Sequence, residues 1–288
     1  MLPPMRLLDS TCVSHLCNPV RLGQGSYGRV DLMSSNLFPG NQLLVAVKTA
    51  FLDSYNNPDE AWYQMVMEAR VMKFLYDLPS VPQVFGVFRQ GQVCCMVQEF
   101  IGNIRNMSST TFLQVLQTGQ PSLSALECMS MAIEVVTALN TIHQRGLLHN
   151  DVALRNILIH HDGTTYKAKI TDFGMACRLQ YPREHKKLTF SSMDEGLKFR
   201  QDYPDLAPEK YLNGACDSVK GDVYSVGHAL KIIALAIGSR EMIDLGQACT
   251  AFNADDRLSL GLVINILNTI QENEKIIPTC RGINQRLI

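Results

Sequence analysis

Apolar and β-branched positions come in short bursts over the first hundred residues and in long helical stripes afterwards. Val20–Leu22, Arg29–Met33 and Leu43–Thr49 are such bursts, punctuated by glycine and asparagine, and they predict strands. Near Asn57 the period changes. Ala61, Met65, Ala69 and Met72 recur at helical spacing, Asn57 suits the cap, Pro58 the first turn, and Glu60 stands at the capping-box distance. Strands return at Gln83–Phe88 and Gln92–Glu99, and Gly102–Gln120 reads as a polar crossing. Ser124 with Glu127 forms a second capping box, opening a long helix marked by Met129, Ile133, Val136 and Ile142. Beyond Gly146 come short strands and loops, then helical patterns from about Asp222 to the end. Strands first and helices afterwards predict an α+β fold of two lobes, meeting near Glu99–Gly102, with a ligand cleft between them.

Composition narrows the class without naming a chemistry. Hydrophobic residues make up 46% and charged residues 18%, the balance of a soluble globular protein long enough to bury its own core. A net charge of -1 gives no case for a nucleic-acid or membrane-surface partner. The nine cysteines, at 12, 17, 94, 95, 128, 177, 216, 249 and 280, show no zinc spacing. They read as reduced, packed thiols of an intracellular protein, cytoplasmic or nuclear. Met1–Leu8 lacks the apolar core of a signal peptide. The most apolar stretch, Val223–Gly238, is broken by His228 and Lys231 and reads as a buried helix, short of the roughly 18 residues of a membrane span.

Five motifs carry candidate chemistry. Gly23-Gln24-Gly25-Ser26-Tyr27-Gly28-Arg29-Val30 lets a strand–turn–strand close over phosphates, because backbone amides approach where no Cβ intrudes. A strand rather than a helix follows it, which argues against a dinucleotide fold. Val45-Ala46-Val47-Lys48 puts an ammonium 20 positions after Gly28, within reach of phosphates, and Glu68 lies another 20 positions on, placed to pair with it. The remaining three are His149-Asn150-Asp151-Val152-Ala153-Leu154-Arg155-Asn156-Ile157-Leu158-Ile159, then Asp172-Phe173-Gly174, then Ala207-Pro208-Glu209.

In that order and spacing, from about Leu22 to Arg257, the set resembles the eukaryotic-type protein kinase superfamily. The resemblance implies a bilobal fold with a small β-rich N-lobe (about 18–99) and a larger helical C-lobe (about 103–288) after a short extension (1–17). It implies ATP and Mg²⁺ as cofactors and a protein substrate. Asp151 would be the base, Lys48 would contact the nucleotide phosphates with Glu68 holding it, and Arg155 could bind the transferring phosphate. Asn156 and Asp172 would bind the metal. Gly23, Gly25 and Gly28 would cover the phosphates; Leu22, Val30, Ala46 and Leu158 would sandwich adenine. Glu99 and Ile101 would offer backbone hydrogen bonds, with Gln98 at the back of the pocket. Phe173, His149 and Met72 would stack in the spine, Asp222 would brace the catalytic loop, and Glu209 would pair with Arg257.

The sequence also departs from that family. Asn150 stands where the family usually has an arginine that grips an activation-loop phosphate, which predicts activity independent of that phosphorylation. Ala153 with Arg155 looks like tyrosine kinases, while Arg200–Leu206 fits neither group, with Gln201-Asp202 for the usual Gly-Thr and no tyrosine-kinase Trp-Met; the family's base rate leans the reading to serine or threonine, with tyrosine or dual specificity as the alternative. A pseudokinase binding nucleotide or a partner is the alternative of another class, set against Lys48, Asp151, Asn156 and Asp172 all being present. The basic residues between Asp172 and Glu209 suggest an acidic substrate or a solvated mobile loop.

Overall fold

The computed structural model describes residues 2–9, 16–35 and 43–276. These gather into two compact units. The first runs to Thr110 and takes in Leu158–Thr164 and Lys169–Gly174; the second holds Thr111–Ile157, Thr165–Ala168 and the chain from Met175 onward. The predicted helical run beyond residue 276, and parts of the 1–17 extension, lie outside the described residues.

The first unit is built on a five-stranded antiparallel sheet: β1 (Cys17–Gln24), β2 (Gly28–Ser35), β3 (Leu43–Ala50), β4 (Val84–Gln90) and β5 (Val93–Glu99), in the order β1-β2-β3-β5-β4. Side chains alternate across a strand, so Val45 and Val47 face one way, into a core with Leu8, Phe88, Cys95 and Val97. Ala46 and Lys48 face the other way, where the register sets Val30 opposite Lys48 and Gln98 opposite Ala46. A run of buried apolar residues in mid-sheet therefore still presents one ammonium on a defined face. Residues 6–8 add along the free edge of β4, with Leu8 N–H donating to the Val87 carbonyl at 2.8 Å and Val87 N–H to that of Arg6 at 3.0 Å.

Helix α1 (Pro58–Phe74) starts where the sequence places it, the Asn57 side chain accepting from Glu60 N–H at 2.8 Å. The return half of the box is shifted by one residue, since Glu60 accepts from Asn56 N–H at 3.0 Å rather than from the cap. Ala61, Met65, Ala69 and Met72 are buried, and Glu68 is buried beside them.

The second unit is mainly helical. The crossing expected to be irregular contains helix α2 (Phe112–Thr118), opened by its own capping box of Thr111 and Gln114. Helix α3 (Ala125–Gln144) carries the capping box read from Ser124 and Glu127, with Met129, Val136 and Ile142 buried. Among the described residues, α3 rather than Val223–Gly238 is the helix long and apolar enough to cross a membrane, by length and composition only. Its buried side chains account for that composition inside a folded unit. Helices α4 (Met193–Asp202), α5 (Pro208–Asn213), α6 (Val219–Ile237), α7 (Arg240–Cys249) and α8 (Leu260–Ile276) follow, with α3 packed on α8 and α6 on α7. The segment read as a solvated loop thus holds a helix, α4, capped by Ser192 and seated through Phe199 on Tyr211 of α5, ring centroids 5.0 Å apart.

Candidate active site

The residues singled out in the sequence fall into two groups, one in each unit. In the first unit, Lys48 Nζ donates to both Glu68 carboxylate oxygens, at 2.7 and 2.9 Å, and to Asp172 Oδ1 at 3.0 Å. Glu68 is only 6% exposed and Lys48 17%, whereas Asp172 is 48% exposed. Burial alone would lower the Lys48 pKa; the two carboxylates outweigh it and hold the ammonium charged well above its ordinary range. Phe173 backbone N–H supports Glu68, and Phe173 and Met72 are both buried. Asp172 adopts φ +61°, a left-handed conformation that favours short polar residues.

The glycines divide by cause. A Cβ on Gly28 would collide with the Thr49 carbonyl oxygen of β3, so Gly28 is needed by the sheet itself. A Cβ on Gly23 or Gly25 would meet nothing within 4 Å, so the protein's own packing leaves these two positions open to a ligand. Leu22, Val30 and Leu158 are half-buried and Ala46 is buried. At the end of β5, Glu99 N–H donates to the Gln83 carbonyl at 2.8 Å, and its carboxylate is held by Lys169 Nζ at 2.8 Å and Gln83 N–H at 3.0 Å. The Ile101 carbonyl accepts from Ser109 Oγ at 2.6 Å. Glu99 N–H and Ile101 C=O therefore already carry protein partners.

In the second unit, the Asp151 carboxylate is fixed from two sides. Arg155 Nη2 donates to Oδ1 at 2.6 Å, and Asn156 Nδ2 donates to Oδ2 at 2.8 Å and to the Asp151 carbonyl at 2.9 Å. Arg155 also donates to Asp205 Oδ2 at 2.6 Å, so the guanidinium that the sequence assigns to a phosphate is engaged by two carboxylates. Buried Asp222 accepts from His149 N–H at 2.9 Å, Asn150 N–H at 2.8 Å and His143 Nε2 at 2.8 Å. Burial would raise its pKa, but these donors, His143 foremost, bring it below the ordinary carboxylate range. Asp222 thereby braces the loop just ahead of Asp151. Glu209 and Arg257 form a two-pronged pair at 2.6 and 2.7 Å.

Asn150 has φ +66°, a conformation that asparagine tolerates better than most residues. Its amide donates to the Met175 carbonyl at 3.2 Å and to Cys177 Sγ at 3.3 Å, and accepts from Lys210 Nζ at 3.2 Å. Sequence reasoning missed Asp205, Lys169, His143, Lys210 and Asp217 as partners of the site. No motif flags them, because each acts through a contact distant in sequence.

Residues 18–262 match the family described as protein tyrosine and serine/threonine kinase. The chain belongs to that family. It is similar to discoidin domain-containing receptor tyrosine kinase B of Caenorhabditis elegans, 28% identical over 264 residues, covering 90% of this chain and 30% of that protein. It is also similar to the "probable serine/threonine-protein kinase PknB" of Lactococcus lactis, 26% identical over 209 residues, 72% of this chain and 29% of that one. The tyrosine-protein kinase SRK2 of Spongilla lacustris is 30% identical over 207 residues, 72% of this chain and 49% of its own. The chain spans less than a third of the length of the first curated relatives it matches.

Proposed function

We propose that this chain is an ATP-dependent protein kinase that transfers the γ-phosphate to a protein hydroxyl. The observation that carries the reading is Lys48 held by two carboxylates, Glu68 and Asp172, on the sheet face that also bears Val30, Ala46 and Gln98. Phosphoryl transfer needs positioned charge more than covalent help. A lysine kept ionised and immobile meets that need, and its ammonium would draw the α- and β-phosphates beneath the open positions Gly23 and Gly25. Leu22, Val30, Ala46 and Leu158 would enclose the adenine.

Asp151 would orient the acceptor hydroxyl and take its proton, its carboxylate aimed by Arg155 and Asn156. Asp172 offers a half-exposed carboxylate, and Asn156 gives its amide nitrogen to Asp151, which turns its oxygen toward a different partner. Oxygen donors of this kind suit Mg²⁺. When bound, the ion would neutralise charge on the β- and γ-phosphates.

Serine or threonine is the proposed acceptor, on the family's base rate, since Arg200–Leu206 carries neither the serine/threonine Gly-Thr nor the tyrosine-kinase Trp-Met. Asn150 in place of the arginine supports activity that needs no phosphate on the segment between Asp172 and Glu209. The setting proposed is intracellular, supported by the buried free thiols of Cys94, Cys95, Cys128 and Cys249. The test is incubation with radiolabelled ATP, Mg²⁺ and a mixed peptide array, followed by phosphoamino-acid analysis. Phosphoserine or phosphothreonine supports the proposal, and phosphotyrosine moves the acceptor. ATP binding without transfer replaces the kinase by a nucleotide-binding module.

A further inference from the structure

Between Pro182 and Phe190 the chain forms neither helix nor strand, so side chains and isolated backbone bonds must hold it. Two of its side chains, Arg183 and His185, converge on one carboxylate. Asp217 has a side chain with no solvent exposure, and it accepts from His185 Nε2 at 2.7 Å, Arg183 Nε at 3.1 Å and Lys210 Nζ at 2.7 Å. The Cys177 thiol donates to it at 3.6 Å, and Asp217 N–H donates to the Arg183 carbonyl at 2.9 Å. Gly214, at φ +69°, completes the seat, since a Cβ there would stand 2.8 Å from the His185 carbonyl oxygen. Leu188 N–H donates to the Tyr211 carbonyl at 2.8 Å, extending the seam.

A buried carboxylate without partners is costly, and one with several cationic partners is a rigid node. Burial would raise the Asp217 pKa, but hydrogen bonds from Lys210 and His185 outweigh it and bring the group down to about 2, so it is an anion at neutral pH. Two of its partners, Arg183 and His185, belong to the irregular segment, and another, Lys210, also reaches Asn150 Oδ1. Asn150 in turn holds the Met175 carbonyl and immediately precedes Asp151. Arg183 Nη2 donates to that same Met175 carbonyl.

We propose that Asp217 is a built-in anion that positions the 182–190 segment and, through Lys210 and Asn150, the loop carrying Asp151. An anion placed opposite a cluster of basic side chains orders a loop by charge-assisted hydrogen bonds, and a phosphate added by modification acts in this way. Here the anion is part of the chain and permanently present. The positioning role rests on the kinase reading; the ordering of the segment does not.

The test compares phosphatase-treated wild type with Asp217→Asn, which keeps the shape and removes the charge, and with the double variant Arg183→Gln/His185→Gln. The double variant alters half-exposed side chains and leaves the Lys210–Asp217 pair, so it remains informative should the first variant not fold. The expected result is full wild-type activity without phosphate, and kcat about tenfold or more lower in either variant with KM for ATP within about twofold. Amide hydrogen exchange should rise across residues 183–188 and stay unchanged in α3 and α6. A kcat within about twofold of wild type in the variants, or wild-type activity lost on phosphatase treatment, overturns the positioning role. Wild type inactive on every acceptor removes the kinase reading alone. Exchange then decides the anchor: protection of 183–188 lost in the variants supports it, and equal protection overturns it.

Discussion

Arg155 donates to Asp151 Oδ1 at 2.6 Å from four residues down the chain, and its other arm donates to Asp205 Oδ2 at the same distance. The base is thus aimed by a cation that is itself clamped. Arg155→Met should lower kcat by about tenfold to a hundredfold, because small misplacements of a reacting group are costly. Its side chain is 52% exposed, so stability should change by less than about 1 kcal/mol. Asp205→Asn should act in the same direction and more weakly. Steady-state kinetics beside thermal melts would separate the two effects.

Gly28→Ala and Gly25→Ala should fail differently. The first drives a methyl into the Thr49 carbonyl and should lower Tm markedly. The second meets open space, so Tm should hold while ATP affinity falls. Melting curves with and without nucleotide distinguish them; equal loss of Tm in both would contradict the division of roles.

The motifs were legible because phosphate chemistry demands particular residue types at particular spacings, and Lys48 and Glu68 meet as their 20-residue separation predicts. The strands and the caps at Asn57 and Ser124 were legible because pattern and capping are local. Helix α4 was overlooked among basic and hydroxyl residues that resemble a loop, although Ser192 and Glu195 stand at a capping distance. Helix α2 was hidden in a polar crossing, although Thr111 and Gln114 make a complete box. The seven-residue gap from Lys210 to Asp217 carries no motif, and only folding brings Arg183 and His185 onto the same carboxylate. Arg155, which the resemblance assigns to a phosphate, also donates to Asp151 and Asp205, and the Asp205 contact carries no sequence signal.

Lys48→Met should leave Glu68 buried without its cation. Burial raises the Glu68 pKa and Lys48 opposes that rise, so removing the lysine should push the carboxyl further up and leave it protonated nearer neutral pH. Carboxyl carbon shifts followed by NMR against pH would show the displacement. An unmoved Glu68 titration would contradict the pairing.

Asp217 makes an acid-sensitive contribution of definite sign. Its folded pKa of about 2 lies below the ordinary 3.8, so the stability it confers is fully present above about 4 and is lost as pH falls toward 2. The Tm difference between wild type and Asp217→Asn should therefore shrink as pH falls below about 4. A difference that stays undiminished as pH falls from about 4 to about 2 would contradict an anionic Asp217.

With Asp151 as the base for phosphate transfer from ATP, its removal should abolish turnover. Radiolabel incorporation into the peptide array by wild type and by Asp151→Ala, at matched concentration and with matched melting curves, tests it most directly. Wild type should incorporate label, and the variant should lose about a thousandfold or more of it. Equal label from both would contradict that role for Asp151.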